Sequence, residues 1–168
     1  MVVLLRHAQA EHHSGTPDEG RPLTLHGRRQ CLGVAEHLLA EGLTPQRVLV
    51  SSALRTRQTW ELVRTALGDV PAPDVEVTEA LYDASVSDVA EMIRAMDDDV
   101  RTVLVVGHEP TMSSTAVVLA SDEASGAEHL SAVKGGLRTG SFAVLELREW
   151  RDCAPGAATL RTVVRPAR

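Results

Sequence analysis

Short apolar runs alternate with segments of helical periodicity along most of this chain. Continuous runs rich in β-branched residues, which are typical of strands covered on both faces of a sheet, occur at 2–5, 47–50 and 101–106. Apolar residues recur every three or four positions in the intervening and following segments, at 25–39, 54–67, 86–96 and 111–119. The pattern therefore predicts strands that alternate with helices.

Local signals indicate where the first two helices begin and end. Thr24 is a good N-cap for the first helix, while Gly42 and Gly68 follow the first and second helical patterns as stop signals. Leu25, Leu32, Ala35, Leu38 and Leu39 recur at helical spacing in the first helix.

The pattern changes in the last third of the chain. Residues 121–140 contain four glycines and are predicted to be irregular. Residues 141–147 alternate in polarity and 158–164 form another predicted strand, and Pro155-Gly156 lies in the predicted turn between them, so this pair is interpreted as a hairpin. Residues 75–77 are interpreted as one more short strand.

This order of elements predicts an α/β fold, a three-layer αβα sandwich with a mostly parallel central sheet. The chain has 168 residues, a length that suits one domain, and no composition shift or repeat marks an internal boundary. We therefore expect a single domain over residues 1–168.

Composition narrows the function classes. A net charge of −6 argues against a general binder of nucleic acids or membrane surfaces, which usually carries positive charge. Cys31 and Cys153 form no CxxC pair, so neither a disulfide framework nor a zinc ribbon is expected. The five apolar residues at the N-terminus are too few for a signal peptide, and we expect a cytoplasmic protein. Arg and Ala dominate and lysine occurs once, which is typical of a GC-rich bacterial genome.

Cations and histidines follow three predicted strands at the point where each strand ends. Arg6-His7 follows the first, Ser51-Ser52 and then Arg55 follow the second, and Gly107-His108 follows the third. Each feature alone is common at strand ends, and the nearby Arg57 reads as part of a solvated helix face. In open α/β sheets, however, ligands bind at the carboxyl ends of strands, where all three features meet. Guanidinium groups and helix N-termini suit phosphate oxygens, and a neutral imidazole can attack phosphorus.

These residues also carry a family resemblance. Arg6-His7-Ala8 resembles the Arg-His-Gly signature that opens the histidine phosphatase (phosphoglycerate mutase-like) superfamily. Residues 50–59 and 105–110 resemble the second and third motifs of that family. Residues 22–27 resemble the Pro-Leu-Thr-x-x-Gly element that lies between its first two motifs. The short chain and Arg21-Pro22-Leu23-Thr24 resemble the small SixA-like branch, whose members remove phosphate from phosphohistidine.

The resemblance implies a site and a reaction. It implies that His7 becomes phosphorylated, that Arg6, Arg55 and His108 bind the phosphate, and that no metal or other cofactor is needed. The expected partner is a phosphorylated substrate, in particular a protein that carries phosphohistidine. Ala8 stands where the family usually has glycine, a departure that narrows the pocket slightly and leaves a small residue in place.

The proton donor is less defined by the pattern. Cleaving a phosphate ester requires a general acid, whereas phosphohistidine expels an imidazole that titrates near ~6.5 and leaves readily. Glu79, which follows the predicted strand 75–77, is the candidate acid, with a solvated carboxylate as the equal alternative. Arg21 is placed either at the pocket mouth or as a brace for its loop. The weaker candidates for the acid are Asp18, Glu19 and Glu109.

Three other functions remain open from the sequence. The first is a broad small-molecule phosphomonoesterase with Glu79 as its acid. The second is a metal site that combines His7 and His108 with His12-His13, although no recognised ligand spacing is present. The third is a module that binds phosphate without turning it over.

Overall fold

A computed structural model describes residues 1–12 and 15–165 of the chain. Its strands are β1 (Val2–Arg6), β2 (Arg47–Ser51), β3 (Asp74–Thr78), β4 (Val103–Gly107), β5 (Phe142–Glu146) and β6 (Thr159–Val164). Its α-helices are α1 (Leu25–Ala40), α2 (Leu54–Leu67), α3 (Val86–Arg94), α4 (Thr111–Leu119) and α5 (Ala127–Lys134). Short 3₁₀ helices lie at Asp18–Gly20, Glu79–Leu81 and Trp150–Asp152. None of the helices within the described ranges combines the length and apolarity that a membrane crossing requires.

The strands form one six-stranded sheet in the order β3-β2-β4-β1-β5-β6. β3, β2, β4 and β1 run parallel, and β5 and β6 continue the sheet in antiparallel orientation as the predicted hairpin. Alternate residues of the strands belong to two separate apolar clusters, one on each face of the sheet. The predicted α/β fold with a mostly parallel central sheet is confirmed.

The central strands explain this arrangement. The four apolar residues of β1 and all five residues of β4 are buried, as expected for parallel strands that have helices on both faces. β1 pairs with β4 in a register that sets Arg6 opposite Gly107, and β2 pairs with the other side of β4. The carboxyl ends of β1, β4 and β2 are therefore neighbours at one edge of the sheet.

One prediction about the helices was wrong, and the orientation of α1 could not be read from the apolar spacing. The segment 121–140 contains the helix α5. Two of its glycines lie at the ends of this helix and not inside it, since Gly126 precedes α5 and Gly135 follows it. In α1, Leu25, Leu32 and Leu39 are exposed. The buried residues of α1 are Gly27, Gln30, Cys31, Val34, Ala35 and Leu38. The seven-residue spacing of the leucines defines a stripe without indicating which side of the helix packs on the sheet.

The start of α1 is held closely against the loop after β1. Thr24 caps the helix as predicted by accepting a hydrogen bond from the backbone N–H of Gly27. The backbone N–H of Thr24 also donates to the carbonyl oxygen of Gln9. A Cβ atom at Gly27 would overlap that same carbonyl group. The absence of a side chain at Gly27 therefore lets the helix start approach the loop that follows the candidate nucleophile.

Gly27→Ala is expected to lower the free energy of unfolding by about 1–3 kcal/mol, because the added methyl group must displace backbone atoms. Chemical denaturation monitored by circular dichroism measures the change. Gly33→Ala in the same helix is the matched control, since a Cβ there meets no atom within 4 Å. The control is expected to raise stability by about 0.5–1 kcal/mol through helix propensity. Equal effects of the two substitutions would contradict the close approach at Gly27.

Candidate active site

His7 lies directly after β1, buried with 8% of its surface exposed. Its Nδ1 lies 2.8 Å from the carbonyl oxygen of Ala8, which can only accept, so Nδ1 carries the proton. Nε2 therefore holds the free lone pair, and it accepts a hydrogen bond from Nε of Arg55 at 3.3 Å. Burial is the main cause that lowers the pKa of His7 to about 3, although the Ala8 hydrogen bond opposes the shift. His7 is thus a neutral imidazole at neutral pH with Nε2 available to attack.

His108 follows β4 and faces His7, with 5.4 Å between the two ring centroids. Nη2 of Arg55 donates to Nδ1 of His108 at 3.2 Å, so the proton of a neutral His108 ring lies on Nε2. That Nε2 lies 2.7 Å from Oγ of Ser51, the last residue of β2. Burial, followed by the charge of Arg55, lowers the pKa of His108 to about 4. The second histidine is consequently also neutral near pH 7.

Arg55 lies in the first turn of α2 and is only 5% exposed. Its guanidinium group contacts both histidines through the bonds already described. The same group donates to the backbone oxygen of Asp18 at 2.7 Å and to Oδ2 of Asp18 at 3.0 Å. A buried cation at a helix N-terminus, with a carboxylate already bound to it, marks a place where an anion is favoured.

Arg6 reaches the same edge of the sheet from the end of β1. Its Nη1 donates to the carbonyl oxygen of Leu137 at 2.8 Å, and its buried Nε has no hydrogen-bond partner among the described residues. Burial lowers the pKa of Arg6, and the charge of Glu109 opposes that shift. The Glu109 carboxylate accepts from the backbone N–H of Ser113 at 3.0 Å and of Leu137 at 3.4 Å. Glu109, a weaker candidate for the acid, thus bonds the segment that holds Arg6.

Asp18 brings a carboxylate into contact with these side chains. Besides Arg55, Oδ2 of Asp18 accepts from the hydroxyl of Tyr82, and Oδ1 accepts from Nε of Arg21 at 2.9 Å. The Tyr82 hydrogen bond is the largest of the causes that lower the pKa of Asp18, and the contacts with Arg21 and Arg55 add to it. The Tyr82 ring also packs edge-on against His108, with centroids 5.5 Å apart. Asp18 is therefore ionised and held at the mouth of the site.

The structure places Arg21 at this mouth and also as a brace. It bonds Asp18, and its Nη1 donates to the backbone oxygen of Glu11 at 3.0 Å. Arg6, His7, Arg55 and His108 together form a cage at the strand ends. Glu79 begins the 3₁₀ helix after β3, where it is exposed and, within the described ranges, forms no side-chain hydrogen bond to the cage. The carboxylate that contacts Arg55 is that of Asp18. The proton-donor role of Glu79 stays a prediction.

Thr59 connects the nucleophile segment to α2. Its hydroxyl accepts from the backbone N–H of Ala8 at 3.0 Å and donates to the carbonyl oxygen of Arg55 at 2.7 Å. The side chain is fully buried, so both bonds are shielded from water. Thr59 therefore fixes the distance between the segment that carries His7 and the helix turn that carries Arg55.

Sequence reasoning gave no role to Tyr82, Thr59 or Leu137, and it ranked Asp18 below Glu79. Tyr82 is the one tyrosine of the chain, and Asp18 precedes Arg21 by three residues in a polar loop. These two features are visible in the sequence, but neither indicates which loops meet at the carboxyl ends of the strands. The contacts depend on how residues 15–21 and 79–82 fold over the strand ends.

The histidine metal site considered above includes His13, which lies outside the residues that the structure describes. Among residues 1–12 and 15–165, no group of three or more His, Cys, Asp or Glu side chains has the arrangement of a metal site. Phosphate release in the presence of EDTA remains the direct test of that alternative.

The chain belongs to the histidine phosphatase superfamily, branch 1, whose family model matches residues 2–105. The family supports a hydrolase that removes phosphoryl groups, so a phosphorylated compound is the general class of substrate.

Similar proteins agree with that membership. The uncharacterized protein Rv1276c of Mycobacterium tuberculosis is 39% identical over 93% of this chain and 96% of its own length. Among solved structures, the SixA protein of Nakamurella multipartitia, to which phosphohistidine phosphatase activity is attributed, superposes with a TM-score of 0.84. It is 32% identical, and the match covers 99% of this chain and 96% of that one. The protein histidine phosphatase SixA in complex with tungstate gives a TM-score of 0.78 at 28% identity, over 98% of this chain and 96% of that one.

Proposed function

We propose that this protein hydrolyses phosphohistidine in a protein substrate through a phosphohistidine intermediate on its own His7. The observation that carries the proposal is the state of His7. Its Nδ1–H is bonded to Ala8, and its unprotonated Nε2 faces the guanidinium group of Arg55. We assign His7 as the residue that is phosphorylated. The phosphate-binding residues are assigned as Arg6, Arg55 and His108.

The first step transfers the phosphoryl group to His7. The substrate ring reacts with a proton already on its other nitrogen. The Nε2 lone pair bonds to phosphorus, the substrate P–N bond breaks with its electron pair moving to the substrate nitrogen, and the substrate leaves as a neutral imidazole. Arg55 and Arg6 supply donors for the equatorial oxygens, and His108, whose ring faces His7, holds Arg55 in place by accepting its hydrogen bond at Nδ1. Since the phosphoryl group passes from one imidazole to another, donor and acceptor nitrogens are chemically matched.

The second step consumes water. A water oxygen bonds to phosphorus, the bond to Nε2 of His7 breaks, and inorganic phosphate leaves with the proton balance completed by solvent. His7 returns to its neutral form with the proton still on Nδ1. The bond from Nδ1 to Ala8 stabilises the positive charge that the ring carries while it is phosphorylated.

The acid–base character of the site favours an imidazole leaving group. An alkoxide needs a protonated acid, yet the carboxylate at the cage is that of Asp18, whose pKa is lowered by Tyr82 and the arginines. An imidazole leaves without such help because its conjugate acid titrates near ~6.5. The likeness to the SixA structures supports the same substrate class.

The test compares the wild-type kcat/KM for a phosphohistidine protein with that for p-nitrophenyl phosphate and for an alkyl phosphate. We expect the alkyl ester to be slower by about 10²–10⁴-fold, the size of a missing general-acid contribution. Efficient hydrolysis of alkyl phosphates together with inertness toward every phosphohistidine protein offered would overturn the proposal.

A small-molecule phosphomonoesterase is the second candidate, because Asp18 is within reach of the cage and could regain a proton once phosphate replaces it on Arg55. Asp18→Asn and Glu79→Gln, assayed on the same three substrates, separate the candidates. Under the main proposal, both variants retain the preference for phosphohistidine. A selective loss of ester hydrolysis of about 100-fold in one variant identifies that residue as an ester acid.

A further inference from the structure

Three leucines lie along the exposed side of α1. Leu25, Leu32 and Leu39 are 76%, 52% and 44% exposed, respectively. They are seven residues apart, which is close to two helical turns, so they form one continuous apolar stripe. Scattered surface leucines are ordinary, whereas aligned ones along a helix of 16 residues form a surface suited to another helix.

Charges of opposite sign lie beside the stripe in its two halves. Arg28 and Arg29 lie in the first half of α1, and Glu36 lies in the second half. All three are exposed, and none of them takes part in an ion pair among the described residues of the chain. Within α1, the positions three and four residues from Glu36 are occupied by leucine, glycine and alanine, so the helix itself offers it no cation.

The stripe and its charges are symmetric about Leu32. Leu25 and Leu39 are equally distant from Leu32 along the helix, and so are Arg28 and Glu36. When a second α1 is laid antiparallel with the two Leu32 residues in contact, each Leu25 meets a Leu39. In the same arrangement each Arg28 meets a Glu36. A parallel arrangement would instead set Arg28 against Arg28 and Glu36 against Glu36.

We propose that α1 is a homodimer interface in which two copies of this chain pair antiparallel through the leucine stripe, with the two-fold axis at Leu32. The occupant is a second copy because the pattern is complementary to itself, as an isologous two-fold contact requires. The leucines supply the apolar contact, and the Arg28–Glu36 pairs on both sides of the axis select the antiparallel orientation.

The geometry limits the strength of this dimer and leaves the active site free. α1 is about 24 Å long, so a contact through one helix per copy is smaller than a standard permanent interface and depends on concentration. The stripe lies on the side of α1 away from the sheet, whereas the catalytic side chains lie at the carboxyl edge of the strands. The antiparallel arrangement therefore directs the two cages to opposite ends of the dimer. The proposed interface does not depend on the identity of the substrate.

Sedimentation velocity of the full chain, from about 10 µM to about 1 mM, measures the association. Wild-type protein is expected to shift from monomer toward dimer over this range. Leu32→Glu sets two like charges against each other at the axis, and it is expected to raise the dissociation constant at least about tenfold. Val118→Glu is the matched control, since Val118 is 39% exposed on α4 in the opposite helix layer. It is expected to leave the association unchanged.

A charge exchange tests the orientation with variants that alter only exposed polar residues. Arg28→Glu combined with Arg29→Glu, and Glu36→Arg in a separate chain, are each expected to associate less than wild type. An equimolar mixture of the two chains is expected to recover association, because every facing pair is again of opposite sign. A wild type that stays monomeric at the highest concentration, unchanged association in Leu32→Glu, or no recovery in the mixture would each overturn the proposed interface.

Discussion

His7→Ala is expected to abolish release of inorganic phosphate, with kcat/KM at least about 10⁴-fold below wild type on every substrate. The reason is that the reaction passes through a bond between phosphorus and Nε2 of His7, and losing a nucleophile removes both steps at once. The side chain is buried at the cage and contacts Arg55, so an exposed histidine elsewhere cannot replace it.

The measurement is phosphate release without added metal, together with rapid acid-free quenching of a reaction run with a ³²P-labelled phosphohistidine protein. Wild type is expected to carry transient label that is stable in base and labile in acid, as a phosphoramidate is, and His7→Ala is expected to carry none. His26→Ala, an exposed histidine in the first turn of α1, is the control and should match wild type. Undiminished turnover in His7→Ala would remove the covalent mechanism.

Arg55→Ala is expected to lower kcat/KM by about 10²–10³-fold, the loss typical of removing one donor from a charge-stabilising site. The guanidinium group donates hydrogen bonds to His7 and His108. It also donates two hydrogen bonds to Asp18. Removing it therefore takes away a bidentate contact with the phosphoryl oxygens and also loosens the segment that carries Asp18. Arg55→Lys should recover little, because an ammonium group cannot reproduce the planar fork.

The effect of Arg55 is best separated into binding and turnover by measuring tungstate affinity alongside kinetics. Arg55→Ala is expected to weaken tungstate binding and to lower kcat, whereas a purely structural effect would also lower thermal stability in proportion. Arg57→Ala, two residues further along α2 and exposed, is the matched control and should leave both quantities unchanged. Normal turnover in Arg55→Ala would exclude it from the phosphate site.

The apolar pattern determined most of the fold, because strands that are buried on both faces of a parallel sheet need continuous runs of apolar residues. The runs before Arg6, Ser51 and His108 have no polar interruption, which is typical of strands covered by helices on both faces. From that placement, the meeting of Arg6, His7, Arg55 and His108 at one edge could be predicted, since neighbouring parallel strands end together. Their reported distances agree with that expectation, while their roles remain proposals for the variants above.

The tertiary structure alone decided which loops cover this edge. Asp18 and Tyr82 are 64 residues apart, and their hydrogen bond exists because two loops from different strands fold toward Arg55. Long-range side-chain contacts of this kind leave no periodic signal, so the sequence favoured Glu79 over Asp18. The same limit applies to α1, where the leucine spacing defined a stripe but packing against the sheet decided that the stripe faces outward. Periodicity reports which residues share a face, and only the neighbouring elements determine whether that face is covered.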